Sequence, residues 1–447
     1  MSGEDGVSGD RTAVGQTTLF PAWVVWAAGI GILALLGLSG WATVLHSWSQ
    51  GFPWWSGFRV EYLATPIAAF VAAAVAVTTA WWSVRNSQAA RRAEHARWMR
   101  DRDLEAERVA ERSRTETERT LRDRFHELIK LLADHDLRAR EGAAYALAAL
   151  ADDWEAHYGS GTPEAIAEQQ VCINVLISHL RDPLPDDVAT LEQPHAGLAA
   201  FKEVVQEILR SRLGRVSAGK IEPGVWSSFD LVFDGCTLHR LSFGSLVLAG
   251  DKVSFDRVRF AGEYTYFSDT HFAARWVSFS EAKFTDGWSS FDSARFFGTY
   301  VLFANSHFQE GVSFRGANFT ARPSFNYVTF SGYEANFEDA RFHSIDVDFW
   351  EANFNANEVS FDGAHFTADR LTFGFAHFAK CQVSFRATHF KVGCLDLDHA
   401  TFNESSVMLN DAIASFARST ISSRVESPRF VDVAAQYEVA IGEFPEE

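Results

Sequence analysis

The chain has 447 residues, enough for about three domains and too many for one compact globule. Its formal net charge of −18 disfavours a general nucleic-acid-binding surface, because such a surface needs cations to neutralise phosphates. The four cysteines form no CxxC pair and no cluster with histidine, which argues against a disulfide scaffold or a structural zinc site and fits a reducing compartment.

Two apolar stretches near the N-terminus predict membrane-spanning helices. Pro21 to Leu45 and Leu63 to Val84 contain no Asp, Glu, Lys or Arg, and each is long enough to cross ~30 Å of hydrocarbon. A cleaved signal peptide is the alternative for the first stretch. That stretch lacks a basic leader, and a signal peptide would leave the second stretch unexplained. We therefore predict a two-helix anchor over residues 21–84, after an N-terminal arm of residues 1–20.

The distribution of arginine predicts the orientation of this anchor. Arg11 and Arg59 are the cations before and between the stretches, whereas six arginines follow the second stretch between residues 85 and 102. The positive-inside rule places the chain after residue 84 in the cytoplasm, and two crossings return the N-terminus to the same side. Membrane lipid is thus one predicted partner of a multi-pass protein.

Two helical segments are expected next. Residues 85–120 lack glycine and proline and pair opposite charges at helical spacing, as at Glu118 and Arg122, which predicts a charged helical stalk. No apolar seam persists for three heptads, so a strong coiled coil is not predicted. Residues 121–213 show helical apolar periodicity, with Pro163 suited to a helix start. Two helix pairs predict a small all-α, HEAT-like domain, a structural adaptor rather than a dedicated binding site.

Phenylalanine then recurs at alternating five- and seven-residue intervals. Two seven-residue steps shorten to six, after Phe308 and Phe319. The residue two places before each phenylalanine is small or apolar, which is the period of two of a short strand. Such short strands bury enough surface only when coils stack at ~4.8 Å and align like side chains in interior ladders. The sequence therefore predicts a β-solenoid over residues 226–411.

Units such as FDGAHF (Phe361 to Phe366) and FRGANF (Phe314 to Phe319) resemble the pentapeptide-repeat family. The resemblance implies a right-handed quadrilateral β-helix in which the phenylalanine and the preceding alanine point inward. Because every second unit is lengthened to seven, four sides take 24 residues. We then expect about seven coils, in a rod of roughly 35 Å. Two of the expected interior ladders are Phe337, Phe361, Phe385 and Phe342, Phe366, Phe390.

The helical segment carries a second resemblance. Arg124 to Asp153 is similar to a helical motif that is joined to these repeats in bacterial membrane-anchored proteins, although Ala143 and Ala144 stand where a bulkier aliphatic residue is expected. The resemblance implies location in the bacterial inner membrane.

No recognisable catalytic, phosphate-binding or metal motif appears. His365 and His389 are expected one coil apart on the outside of the solenoid, with Arg341 on the same line. An arginine in the line opposes a metal site, so we interpret these histidines as exposed polar residues.

Two further pairs of residues carry groups capable of chemistry. Asp396 and Asp398 flank an interior leucine and are expected to point outward, with no pocket implied. Cys381 and Cys394 are interpreted as loop or small core residues. We predict no catalytic, cofactor-binding or metal-binding residue, no cofactor and no small-molecule substrate, and hence no enzyme.

The sequence favours a non-catalytic, membrane-anchored scaffold whose solenoid binds another protein. The alternative, implied by the resemblance, is a DNA mimic that binds a type II topoisomerase. Residues 226–420 carry 23 acidic and 15 basic side chains, an excess too modest to favour mimicry. Direct nucleic-acid binding is not expected, and neither the partner nor the oligomeric state follows from the sequence. Residues 412–447 are expected to cap the last coil and protect its edge.

Overall fold

The structure is a computed structural model that describes Gly37 and residues 61–181, 193–217, 219–420 and 429–431. The chain divides into two compact units, Met1–Glu111 and Arg112–Glu447. The described helices are α1 (Glu61–Leu132), α2 (Leu137–Tyr158), α3 (Pro163–Ser178) and α4 (Gln193–Arg212).

Helix α1 contains the second apolar stretch of the sequence. It is long and apolar enough to cross a membrane, and it is the one described helix of which this is true. The first predicted span, residues 21–45, lies outside the described residues apart from Gly37. Beyond residue 84 the helix continues through the whole charged segment, as the absence of glycine and proline predicts. The expected pair of Glu118 and Arg122 forms, with 3.0 Å between Oε1 and Nη2.

Helices α2 and α3 have clear sequence signals at their starts. Asp136 caps α2, since its carboxylate accepts a hydrogen bond from the backbone N–H of Arg138. Thr162 caps α3 in the same way, and Pro163 is the first helical residue, as predicted. The buried faces of α2, α3 and α4 join one hydrophobic cluster that also contains Leu121 and Leu128 of α1. Their pairing into HEAT-type repeats stays a prediction.

The β region is a solenoid with four strands per coil. Strands β6, β7, β8 and β9 follow one another along the chain, and the next strand, β10, pairs in parallel with β6. We number the four faces in this order. Face 1 contains β3 (Leu231–Val232), β6 (Lys252–Ser254), β10 (Trp276–Ser278), β14 (Tyr300–Leu302) and β18 (Arg322–Ser324).

Faces 2 and 3 each hold eight described strands. Face 2 consists of β4 (Thr237–His239), β7 (Arg259–Ala261), β11 (Lys283–Phe284), β15 (His307–Phe308), β19 (Thr329–Phe330), β22 (Asn353–Phe354), β25 (His377–Ala379) and β28 (Thr401–Asn403). Face 3 consists of β8 (Tyr264–Tyr266), β12 (Trp288–Ser290), β16 (Val312–Ser313), β20 (Glu334–Asn336), β23 (Glu358–Ser360), β26 (Gln382–Ser384), β29 (Ser406–Met408) and β31 (Arg429–Val431).

Face 4 begins with an antiparallel hairpin and ends by merging with face 1. It contains β1 (Gly214–Ser217), β2 (Lys220–Glu222), β5 (Leu246–Leu248), β9 (His271–Phe272), β13 (Arg295–Phe296) and β17 (Asn318–Phe319). In the last coils one long strand turns the corner and serves both faces, in β21 (Arg341–Asp348), β24 (His365–Thr372), β27 (His389–Asp396) and β30 (Ile413–Thr420).

The strand register confirms the 24-residue coil. Trp276 pairs with Lys252 and with Tyr300, each 24 residues away, whereas Tyr300 pairs with Arg322 after only 22 residues because two steps are shortened in that coil. The faces hold about eight coils rather than the seven expected, because pairing continues past Leu409 into β30 and β31.

The interior is built of four columns of stacked phenylalanine. Both expected ladders form. Phe361 stacks on Phe337 and Phe385 with ring centroids 4.9 and 5.0 Å apart, and Phe342 stacks on Phe366 at 4.7 Å. Columns on opposite sides of the core meet edge to face, as Phe349 and Phe361 do at 90°. Both geometries are favourable for aromatic quadrupoles, which explains why phenylalanine fills all four columns.

The helices close the N-terminal end of this aromatic core. The side-chain amide of Gln170 in α3 donates to the carbonyl of Asp230 and accepts from its N–H, as a neighbouring strand would. The backbone N–H of Thr237 donates to the carbonyl of Leu180, and the buried ammonium of Lys202 donates to the same carbonyl at 2.7 Å. Helical segment and solenoid therefore share one hydrophobic core, and the helices act as its cap.

Tight turns at alternate corners place one residue in the left-handed region. In each turn the N–H of the small inward residue donates to the carbonyl of the preceding phenylalanine, as Ala364 does to Phe361 at 2.9 Å. Two residues lie between the phenylalanine and the inward residue, and the second of them has positive φ. This residue is glycine at Gly316 (63°) and Gly363 (66°), but it is not glycine in other turns, for example at Glu281 (57°). A second element at these corners is an aspartate, for example Asp256, which accepts hydrogen bonds from Ser278 and Ser280 of the next coil.

Replacing an interior ring by a carboxylate tests the ladders. Phe361→Asp is expected to lower the free energy of unfolding by more than about 4 kcal/mol, because it removes two ring stacks and buries a charge. Thr367→Asp, at an exposed position one strand away, is the control and should change little. Urea denaturation followed by circular dichroism measures both. Equal stability of the Phe361 variant and the parent would contradict the interior position.

A matched pair of glycine substitutions tests the turns. Gly316→Ala should lower the free energy of unfolding by about 1 kcal/mol, because alanine is strained at φ 63° although its Cβ meets nothing closer than 3.6 Å. Gly142→Ala, on the exposed side of α2 with open space around its Cβ, should raise it by about 0.5–1 kcal/mol. A stabilising effect at Gly316 would contradict the turn geometry.

Candidate interaction surface

Charge is segregated among the outward positions of the solenoid. Strands of face 2 contain no Asp or Glu, and the same holds for the part of each parallel strand that lies on face 4; the one carboxylate in the described strands of face 4 is Glu222, in the antiparallel hairpin strand β2. Carboxylates lie instead at the corners, as Glu338 and Asp362 do, and on faces 1 and 3, as Asp346 and Glu358 do. The solenoid is acidic overall, yet the parallel strands of faces 2 and 4 present neutral and basic side chains only.

Face 4 carries the line of residues that the sequence places together. Arg341 pairs in register with His365, which pairs with His389, so the three side chains follow one another along the outside of the solenoid. The two imidazole rings stack with centroids 4.5 Å apart and planes within 10°. Among the described residues no group of three His, Cys, Asp or Glu side chains is arranged to hold a metal ion.

The environment of His365 opposes its protonation. Partial burial lowers the pKa of this imidazole below its usual value, and the neighbouring His389, Arg341 and His343 lower it further, against an opposing effect of Asp339. His365 is therefore mainly neutral near pH 7 and can donate or accept a hydrogen bond through its ring nitrogens.

A groove of about 730 Å³ runs beside this line. It lies where β21, β24 and β27 turn the corner from face 4 to face 1, so three successive coils build its length. The preceding coil is one residue shorter at this corner and contributes Thr320. The other residues that line the groove are His343, Ser344, Ile345, Thr367, Ala368, Asp369, Lys391, Val392 and Gly393.

The aspartates and cysteines considered in the sequence analysis lie outside the groove and contact other residues of the solenoid. Asp396 accepts a hydrogen bond from the N–H of Asp398 and forms an ion pair with Arg370, with 3.3 Å between Oδ2 and Nη2. Neither aspartate lines the groove. Cys381 is buried, which raises the pKa of its thiol, and its Sγ lies 3.4 Å from the hydroxyl of Ser405; Cys394 is half-buried on face 1.

A second cavity, of about 480 Å³, lies between the helical cap and the first coil. Glu141, Glu203 and Glu207 line one side and His239 the other. Burial lowers the pKa of His239, and Lys202 lowers it further, so that this imidazole is neutral near pH 7. The sequence offered no signal for this cavity, because its residues come from distant segments.

Comparisons with known proteins bear on the solenoid. Residues 303–353 match a family model described as pentapeptide repeats, in nine copies. This segment lies entirely within the four-sided coils and includes both shortened steps. No match is found among curated proteins or among solved structures.

The line formed by Arg341, His365 and His389 leads to a prediction about the pKa of His365. Arg341→Gln should raise the pKa of His365 towards its ordinary value without reaching it, because burial remains. Histidine-selective carbon-13 NMR titration of the full chain measures the shift, with Arg315→Gln, an exposed arginine beside Glu338, as the control. A pKa of His365 that does not respond to Arg341→Gln would contradict the alignment.

The same depressed pKa has a consequence for stability. The folded chain binds this proton less readily than the unfolded chain, so the stabilising contribution of the neutral imidazole is fully present above the unfolded pKa of ~6.5 and is lost as the pH falls from there through the lower pKa of the folded chain. Substituting His365 by Asn should therefore reduce the loss of stability between pH 7.5 and pH 5.

Proposed function

The chain is a pentapeptide-repeat protein, and on this basis we propose that its solenoid is a non-catalytic scaffold that binds other proteins through its outward side chains. The observation that carries the proposal is the division of labour in the repeat. Inward positions are almost uniformly Phe, Ala, Val or Leu, whereas outward positions differ from coil to coil. A folded core that needs nothing from its outward side chains leaves those side chains available for recognition.

We further propose that the protein is anchored in the bacterial inner membrane by residues 21–84, with both termini in the cytoplasm. The apolar part of α1 supports one span. Trp81 lies near the end of this apolar part, with the guanidinium of Arg85 5.0 Å from its ring centroid, an arrangement suited to a membrane interface. Retention of the full chain in membranes after alkaline carbonate extraction would support the anchor, and release would contradict it.

The DNA-mimic alternative, with a type II topoisomerase as partner, has less support. Imitation of a duplex needs rows of negative charge that follow the two phosphate backbones. In the described strands, face 2 carries no carboxylate and face 4 carries one only in its N-terminal hairpin, at Glu222, while faces 1 and 3 also carry neutral, basic or aromatic residues at outward positions. We therefore prefer a protein-binding scaffold that does not act by imitating DNA.

Site-specific photo-crosslinking in cells tests the scaffold. Removing the whole solenoid is unsuitable, because the helical cap would lose its shared core. A photoreactive amino acid is placed instead at one exposed position on each face, namely Arg370, His377, Glu358 and His389 for faces 1 to 4. We expect crosslinks to a distinct protein from one face or from two adjacent faces. Equal, weak labelling of abundant proteins from all four positions would contradict a scaffold.

A further inference from the structure

We propose that face 4 and the adjoining groove bind an extended acidic segment of a partner protein. This inference rests on the proposed scaffold function and assigns that function to a surface and to a class of partner.

The first argument is charge complementarity. Face 4 presents the exposed cations Arg295, Arg341 and Lys391, together with the imidazoles of His271, His343, His365 and His389. Among the described residues none of the three cations has a carboxylate within ion-pair distance. A row of unpaired cations on a chain of net charge −18 attracts an anionic partner and repels a second copy of the acidic chain.

The second argument is the shape of the surface. The groove follows the solenoid axis over the coils that contain β21, β24 and β27, with His343 on its first strand, Lys391 on its last, and the half-exposed Ile345 two residues after His343. The cationic surface is about one strand of three residues wide, or roughly 10 Å. It is bordered by the corner carboxylates of Glu338, Asp339 and Asp362, and Asp369 lies in the groove itself.

These dimensions select a single polypeptide strand. A nucleic-acid duplex is wider than the cationic surface, so its phosphates would meet the bordering carboxylates. An extended peptide fits the width, and its alternate side chains, about 6.6 Å apart, can place acidic groups towards the cations and an apolar group towards Ile345.

The histidine line makes this binding sensitive to pH. The groups that face His365 are Arg341, His343 and His389, which disfavour its protonation, and Asp339, which favours it. A bound carboxylate adds a second favourable charge, so binding takes up a proton and strengthens as the pH falls from 7.5 to 6.

Fluorescence anisotropy with a defined probe tests the proposal. The probe is a fluorescein-labelled peptide of alternating Glu and Val, and the protein is the full-length chain in a zwitterionic detergent. Arg341→Glu/Lys391→Glu is expected to weaken binding at least about tenfold. The matched control is Lys283→Glu/Lys380→Glu, the same charge change at exposed positions on face 2 and its corner. It should leave the affinity within about twofold.

Several outcomes would overturn the proposal. Equal loss of peptide affinity in both double variants would show unselective charge attraction. Absence of peptide binding to the parent protein would show that face 4 is not such a site. Tighter binding of a DNA duplex than of the peptide would assign the surface to nucleic acid. The proposed scaffold function fails separately: protein crosslinks from another face with no peptide binding at face 4 would leave the scaffold intact and refute only this surface.

Discussion

Each coil must return a phenylalanine to the same four interior positions, because rings stacked at about 5 Å lose contact when they shift sideways. The 22-residue coil shows how strict this requirement is. It lacks one residue at each of two opposite long corners, after Phe308 and Phe319. Phe303 and Phe325 across this coil still stack at 5.0 Å with planes within 4°. Removing residues in opposed positions keeps the four columns aligned, whereas a single deletion would displace at least one of them.

The same constraint explains why the two ends of the solenoid need special treatment. A stacked aromatic core has an apolar end and unpaired strand edges, which invite pairing with other chains. At the N-terminal end, helices α3 and α4 cover the first coil, and Gln170 and Lys202 satisfy backbone groups that a further strand would otherwise satisfy. Helices α2 to α4 therefore share the hydrophobic core of the solenoid and also follow the charged segment in the chain.

Much of this fold could be predicted from spacing alone. The intervals of five and seven identified the strands and the inward residues, because both follow from a period of two, whereas the ladder partners also needed the four sides that the family resemblance implies. The left-handed residues at the corners were not predictable, since Glu281 and similar residues occupy positions where glycine is expected. The cap was not predictable either, because Gln170 and Asp230 are distant in sequence.

The candidate surface was only partly visible in the sequence. The alignment of Arg341, His365 and His389 followed from the 24-residue coil, but the three residues alone did not indicate a binding surface. The groove depends on β21, β24 and β27 turning a corner as continuous strands, and the lack of carboxylates on the parallel strands of face 4 appears only once each residue is assigned to a face. The proposed function therefore rests on columns of residues rather than on motifs.

Disulfide trapping tests the 24-residue, four-sided coil most directly. The coil places Asn353 and His377 side by side on face 2, at a strand spacing of ~4.8 Å, which is within disulfide range. It places Asn353 and His365 on different faces. Paired cysteines at Asn353 and His377 should crosslink readily under mild oxidation, and the pair at Asn353 and His365 should not. Preferential crosslinking of the pair twelve residues apart would contradict the four-sided coil.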